Sequence, residues 1–216
     1  ETYIYILKCY KQREMKSAEA SYGNILDTPE RDAILSALSS NTQAALFSSR
    51  NSEITKYNLP FYQSFKLYRL MNFAALPLFQ MGFLSDSTHY YHLDGSVDPV
   101  YAANEIDPVF LSRNTILDYL QFVTENAYLE GHDLTLVRDI AQTSFFEALD
   151  DDDKITIQEK HHAPEIIAAG DNGNGFNVRA TFIKDGVLMS ATVDIDGDGK
   201  ISLHQENMLW AGEYSL

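Results

Sequence analysis

Two hydrophobic periods divide this chain. Up to about residue 130 the clearest stretches repeat at helical spacing, and beyond it the spacing falls to two. Thr28-Pro29-Glu30 reads as an N-cap, a proline at the first helical position and an acid in the first turn. Ile34, Leu38, Ala45 and Leu46 recur at helical spacing behind it, so a helix is predicted over roughly 29–48. The polar SSRNSE (48–53) ends it. A second helix follows Asn114, a residue suited to capping. Ile116, Leu120, Val123 and Ala127 line one face of it, Leu117 and Tyr128 flank them, and Gly131 stands where a left-handed C-terminal residue is wanted. Between these helices FYQSFKLYRLMNF (61–73) and THYYHLD (88–94) read as strands, and Pro99 and Pro108 bracket a loop with a helical turn at 100–105. Residues 1–25 read both ways: TYIYI is β-prone and KQREMKSAEA is helix-prone.

After Gly131 the chain alternates. Leu134, Leu136 and Val137 suggest a strand, and Ile155 and Ile157 alternate with Thr156 and Gln158 behind an acidic turn at Asp150–Asp153. DNGNG (171–175) is a turn. Phe176, Val178, Ala180 and Phe182 then share one strand face, and Val187, Met189, Ala191 and Val193 share one face of the returning strand. Asp185-Gly186 between them is a two-residue hairpin signal. A further turn at Asp196–Gly199 precedes Ile201 and Leu203. The expected fold class is α+β: a C-terminal antiparallel β-meander of four to six strands, packed by the helix at 114–129, with an additional N-terminal helical region. The expected division is a helical region at 1–60 and an α+β domain at 61–216, with no linker between them.

Composition narrows the function. With 45% hydrophobic and 22% charged residues, 216 residues suffice for a real core, and 13 Tyr and 12 Phe against one Trp favour aromatic packing. The net charge of −15, from 31 acids and 16 bases, repels phosphate and anionic lipid, which argues against nucleic acid and against the membrane surface. It attracts cations or a basic protein partner; the alternative is that the acidic surface serves only to keep the protein soluble. No apolar run approaches the ~18 residues of a membrane span, so direct insertion is not expected. The opening TYIYILKCYKQREMK passes from apolar to basic, as the inner end of a membrane anchor does and as an ordinary first element also can. Cys9 is the only cysteine; it excludes an intrachain disulfide and a CxxC zinc site, and it fits a reducing, cytoplasmic setting.

One stretch names a chemistry. In DIDGDGKISLHQE (194–206), Asp194, Asp196 and Asp198 take positions 1, 3 and 5 of an EF-hand calcium loop, Gly199 position 6 and the Lys200 carbonyl position 7. Gln205 occupies position 12, where a bidentate glutamate is required, and Glu206 falls one place late. Glu206 reaches the ion only if the backbone bulges. The flank GVLMSATV is strand-like, so the alternative is an acidic hairpin turn in which Gly197 and Gly199 supply positive φ. A second candidate is the proline-bracketed loop with Asp94, Asn104 and Glu105. It can form a binding site, or Asp94 can close an Asx-turn while Asn104 satisfies buried backbone groups. His89 and His92 fall on opposite faces of a strand and cannot chelate together; adjacent His161 and His162 share that problem. No nucleophile elbow, phosphate loop or dinucleotide fingerprint is present.

The segments HLDGSVDPVYAANE (92–105), NTILDYLQFV (114–123) and FNVRATFIKDGVLMSATVDIDGDGKISL (176–203) resemble an uncharacterised family of proteobacterial proteins. In that family an LDG…P.Y..N segment precedes a helix, and a strand pair with a short DG turn closes the chain. The resemblance runs from about residue 64 to the C-terminus and implies no activity. It implies that the three aspartates elaborate a hairpin, because the family's final turn is short and not reliably acidic. The expected function is a non-catalytic binding or interaction protein with an unidentified protein partner and a calcium-stabilised loop at 194–206. The alternative is a metal- or carboxylate-dependent hydrolase with a site near 89–105, using His89, His92 or Asp94.

Overall fold

The structure is a computed structural model that describes residues 23–39, 46–75, 78–170 and 175–211. The readings made for residues 1–22, Cys9 among them, and for most of the DNGNG turn lie outside the described residues. Among the described residues two antiparallel sheets account for the strands. Sheet 1 runs β1 (Asn24–Ile25), β2 (Ser52–Asn58), β3 (Lys66–Asn72), β4 (Phe79–Ser85) and β5 (Tyr90–His92), each pairing with the next. Sheet 2 contains β6 (Leu134–Val137), β7 (Glu165–Ala169), β8 (Phe176–Lys184), β9 (Val187–Ile195) and β10 (Ile201–Trp210), in the order β10-β9-β8-β6, with β7 also paired to β8. The chain is α+β, and β8-β9-β10 is the C-terminal meander.

Helices fill the spaces that these sheets leave. Helix α1 (Thr28–Ala37) places Ile34 against one face of sheet 1, where Ile54, Tyr68, Leu70, Met81 and Phe83 are buried. Helices α2 (Asp98–Ile106) and α3 (Ile116–Asn126) contribute Val100, Ala103, Tyr119, Leu120 and Val123 to the largest core, which also takes Leu67 and Leu84 from sheet 1 and Val178, Phe182, Val193 and Ile195 from sheet 2. Burying each large aliphatic or aromatic side chain contributes roughly 1.5–3 kcal/mol, so this shared core couples the two sheets. A smaller cluster of Val137, Ile140, Ile157 and Leu188 holds the arm at 139–164, including α4 (Ser144–Glu147) and α5 (Asp151–Lys160), on the outer face of sheet 2.

Several local expectations change. The first helix begins on an Asp27 cap, whose Oδ1 accepts the Glu30 N–H at 3.0 Å, and it ends at Ala37 rather than near 48. Residues 61–65 form turns, and the strand is 66–72. Asn114 does not cap α3; the helix starts after Thr115, whose hydroxyl donates to the Phe110 carbonyl. Gly131 is left-handed, at φ +83, but it lies in a turn between Leu129 and His132, five residues beyond the end of α3. The turn read at Asp150–Asp153 and the strand read at Ile155–Ile157 are both helix: Asp150 caps α5 by accepting the Asp153 N–H at 2.8 Å. Three more aspartates in that first turn complement the helix dipole. The register pairs β2 with β3 from Ser52↔Asn72 to Asn58↔Lys66, so residues on both sides of position 60 share one sheet. The described part of 1–60 holds one ten-residue helix and two strands of that sheet.

Candidate functional site

The Asp196–Lys200 turn connects β9 to β10. Its own backbone absorbs its first carboxylate: Asp196 Oδ1 accepts the Asp198 N–H at 2.9 Å and the Lys200 N–H at 2.8 Å. The Lys200 carbonyl, position 7 of the calcium reading, accepts the Asp196 N–H at 3.0 Å. Gly199 adopts φ +80, as the turn requires, whereas Gly197 is not left-handed. Asp196, Asp198 and Lys200 are exposed; Gly199 is buried.

What buries Gly199 is a cluster of polar side chains inside the core. Asn104 Nδ2 donates to the Asp198 carbonyl at 2.8 Å, and the Tyr119 hydroxyl donates to the Gly199 carbonyl at 2.7 Å. Asn104 Nδ2 also reaches Tyr119 Oη at 2.9 Å, and Tyr62 donates its hydroxyl to Asn104 Oδ1. A loop of sheet 1, two helices and the β9–β10 turn therefore meet at one side chain, Asn104. Burial pushes the Tyr62 and Tyr119 hydroxyls well above the ordinary tyrosine range, with their mutual proximity adding to the Tyr62 shift. Both remain protonated donors at any physiological pH. The expected site residues Asn104 and Asp198 are brought together, and the geometry is that of a clamp on the turn.

The other expected ligands point elsewhere. Asp194 lies on the outer face of sheet 2, opposite Ser202 on β10 and Asn177 on β8. Asn177 Nδ2 donates to its Oδ1, and His204 Nε2 stands 3.2 Å from its Oδ2. The backbone does bulge between His204 and Asn207, with Gln205 at φ +49. That bulge sends Glu206 to the Lys184 ammonium rather than to the turn. Among the described residues, no three His, Cys, Asp or Glu side chains are grouped so as to hold a metal ion.

In the segment 89–105 the candidate side chains Asp94, His89 and His92 find partners close by in sequence or on the neighbouring strand. Asp94 Oδ1 accepts the Ser96 N–H at 2.9 Å and its hydroxyl at 2.8 Å. The Ser96 backbone bond, against some opposing burial, holds the Asp94 carboxyl below its usual range. The His92 ring packs on Phe83, which it faces across the β4–β5 pairing. His89 precedes β5 and pairs its Nδ1 with Asp86 Oδ2 at 3.0 Å. Glu105 is exposed on α2.

No family model, no curated protein and no solved structure matches this chain. The resemblance carried by residues 92–105, 114–123 and 176–203 therefore adds no function to the geometry. The pattern of residues assigns no role to Tyr62, Tyr119 or Asn177, and His204 stands alone in it. A lone tyrosine or histidine carries no spacing signal, and only the register brings His204 beside Asp194. Among the described residues no helix is long and apolar enough to cross a membrane.

Proposed function

We propose that the protein is a non-catalytic binding or interaction protein, and that its partner docks on the polar end of the outer face of sheet 2, beyond the part that the arm at 139–164 covers. The observation that carries this reading is the Asn177–Asp194–His204 group. Asp194 and His204 have half-exposed side chains, yet each is held in place by its neighbours. Around them the register aligns two cross-strand rows, Asn177–Asp194–Ser202 and Arg179–Thr192–His204. Side chains ordered before contact lose less freedom on binding, which favours such a surface over a mobile one. The net charge of −15 favours a basic protein as the partner. A reducing cytoplasm is the setting this proposal adopts, in keeping with the lone Cys9.

A photo-crosslinking residue at Ser202, compared in cells with one at Glu30 on α1, tests the proposal. The expected result is a discrete protein adduct from position 202 alone, lost when Asp194→Lys is added. Equal adducts from both positions, or an adduct indifferent to Asp194→Lys, would overturn it.

A further inference from the structure

Among the described residues β10 is the outermost strand of sheet 2, and it is ten residues long. Such an edge presents a row of backbone groups to any other extended chain. The Asp196 N–H bonds the Lys200 carbonyl, and hydrogen-bonded pairs recur at every second position, so the backbone groups of Ser202 and His204 face β9, opposite Asp194 and Thr192, and those of Ile201 and Leu203 face outward. Both are met by side chains from outside the sheet. Tyr101 Oη on α2 accepts the Ile201 N–H at 3.1 Å, and Glu130 Oε1 accepts the Leu203 N–H at 3.2 Å. Further along, Lys160 Nζ donates to the Leu209 carbonyl at 2.9 Å, and the register breaks between His204 and Asn207 and again between Met208 and Trp210.

Glu130 is an unusual choice for its own turn. It adopts φ +51 beside Gly131 at φ +83, in the two-residue turn closed by reciprocal Leu129–His132 hydrogen bonds. That geometry favours Asn, Asp or Gly at the first position, because a longer side chain is strained there and gains nothing locally. What the longer side chain gains is reach to β10.

We propose that Glu130 and Tyr101 cap the open edge of β10 and keep it from pairing with the β10 edge of a second copy of this chain. The same strand meeting its own copy is self-complementary under a two-fold axis, which makes the second copy the partner always at hand. The caps occupy the outward N–H groups before the bulge, and the bulge and Lys160 disrupt the remainder.

The test compares the full chain with Glu130→Asn combined with Tyr101→Phe, and with Glu130→Gln, which keeps both length and an acceptor oxygen. Sedimentation velocity over a concentration series and amide exchange at Ile201 and Leu203 are the readouts. The wild type and Glu130→Gln are expected to sediment alike. At low concentration the double variant should exchange its Leu203 amide about tenfold faster. As concentration rises it should move to a dimer in which the Ile201 and Leu203 amides become protected. Asn suits the turn, so if the double variant fails to fold, Glu130→Asn alone carries the comparison. Two results would overturn the proposal: a folded variant that sediments like the wild type at every concentration, or a wild type already paired through β10.

Discussion

Gly199→Ala isolates what the buried clamp is worth. Gly199 stands at φ +80, where an alanine costs about 1–2 kcal/mol in backbone strain. A Cβ there would lie 2.5 Å from Tyr119 Oη and 2.7 Å from Asn104 Nδ2. One or both side chains must shift, and the bonds to the Gly199 and Asp198 carbonyls go with them. Leaving a buried polar group unpaired costs about 1–3 kcal/mol. The expected loss is therefore about 2–5 kcal/mol, a large fraction of the roughly 5–15 kcal/mol that a folded domain commands. Gly197→Ala is the internal control: same turn, same substitution, exposed and not left-handed, with an expected change of no more than about 0.5 kcal/mol. Urea unfolding followed by far-UV circular dichroism measures both. Adding Tyr119→Phe to Gly199→Ala removes the atom nearest the new Cβ, so the double variant should lose less than the sum of its parts by about 1 kcal/mol. Equal costs at Gly197 and Gly199, or strict additivity with Tyr119→Phe, would show that the turn is not held by this cluster.

The Asp196 turn and the Asp86 turn each give a further outcome. In thermal unfolding of chelator-treated protein, Asp196→Ala should lower the midpoint by the equivalent of about 1–2 kcal/mol with or without millimolar calcium, because its Oδ1 caps two backbone N–H groups, while exposed Asp198→Ala should be near neutral; a calcium loop would instead lose a calcium-dependent increment in both variants alike. For pH, burial works to raise the Asp86 carboxyl, but the His89 backbone and ring and the Thr88 N–H outweigh it and hold the group at about 2, below the usual 3.8. A depressed acid stabilises the fold above its unfolded value, so this contribution, about 1 kcal/mol after solvent screening, should be complete above pH 5 or so and fade as pH falls toward 2. An Asp86→Asn variant that keeps the full acid-unfolding slope would refute that assignment.

Two similarly patterned stretches show how far the sequence reaches. DDDKITIQEK and DGDGKISLHQE both set acids before a lysine and an alternating apolar pair. The first is helix α5 and the second opens strand β10. Local chemistry separates them in part. Asp150 caps a helix and no glycine interrupts the first stretch, whereas Gly199 needs a left-handed turn in the second. The apolar period alone misleads, because in α5 Ile157 is fully buried and Ile155 is 58% exposed, which a strand with both on one face would not allow.

The features that rest on neighbours along the chain are legible in the residues alone. These are the Asp185-Gly186 hairpin, with φ +49 and +87, the shared core face of Phe176, Val178, Ala180 and Phe182, the core stripe of α3, and the α+β class that follows from them. Each is set by backbone stereochemistry or by a period, and both are written locally. Whatever depends on which segments meet came from the fold as a whole. It paired β2 with β3 across the expected boundary at residue 60 and placed β6 beside β8. It brought Asn104 to the Asp198 carbonyl across 94 positions of sequence, and it set Asp194 beside Asn177 and His204 and Glu206 beside Lys184. A carboxylate in a turn is a ligand, a cap or half of an ion pair according to which donor the fold brings within 3 Å or so, and that donor lies far away along the chain.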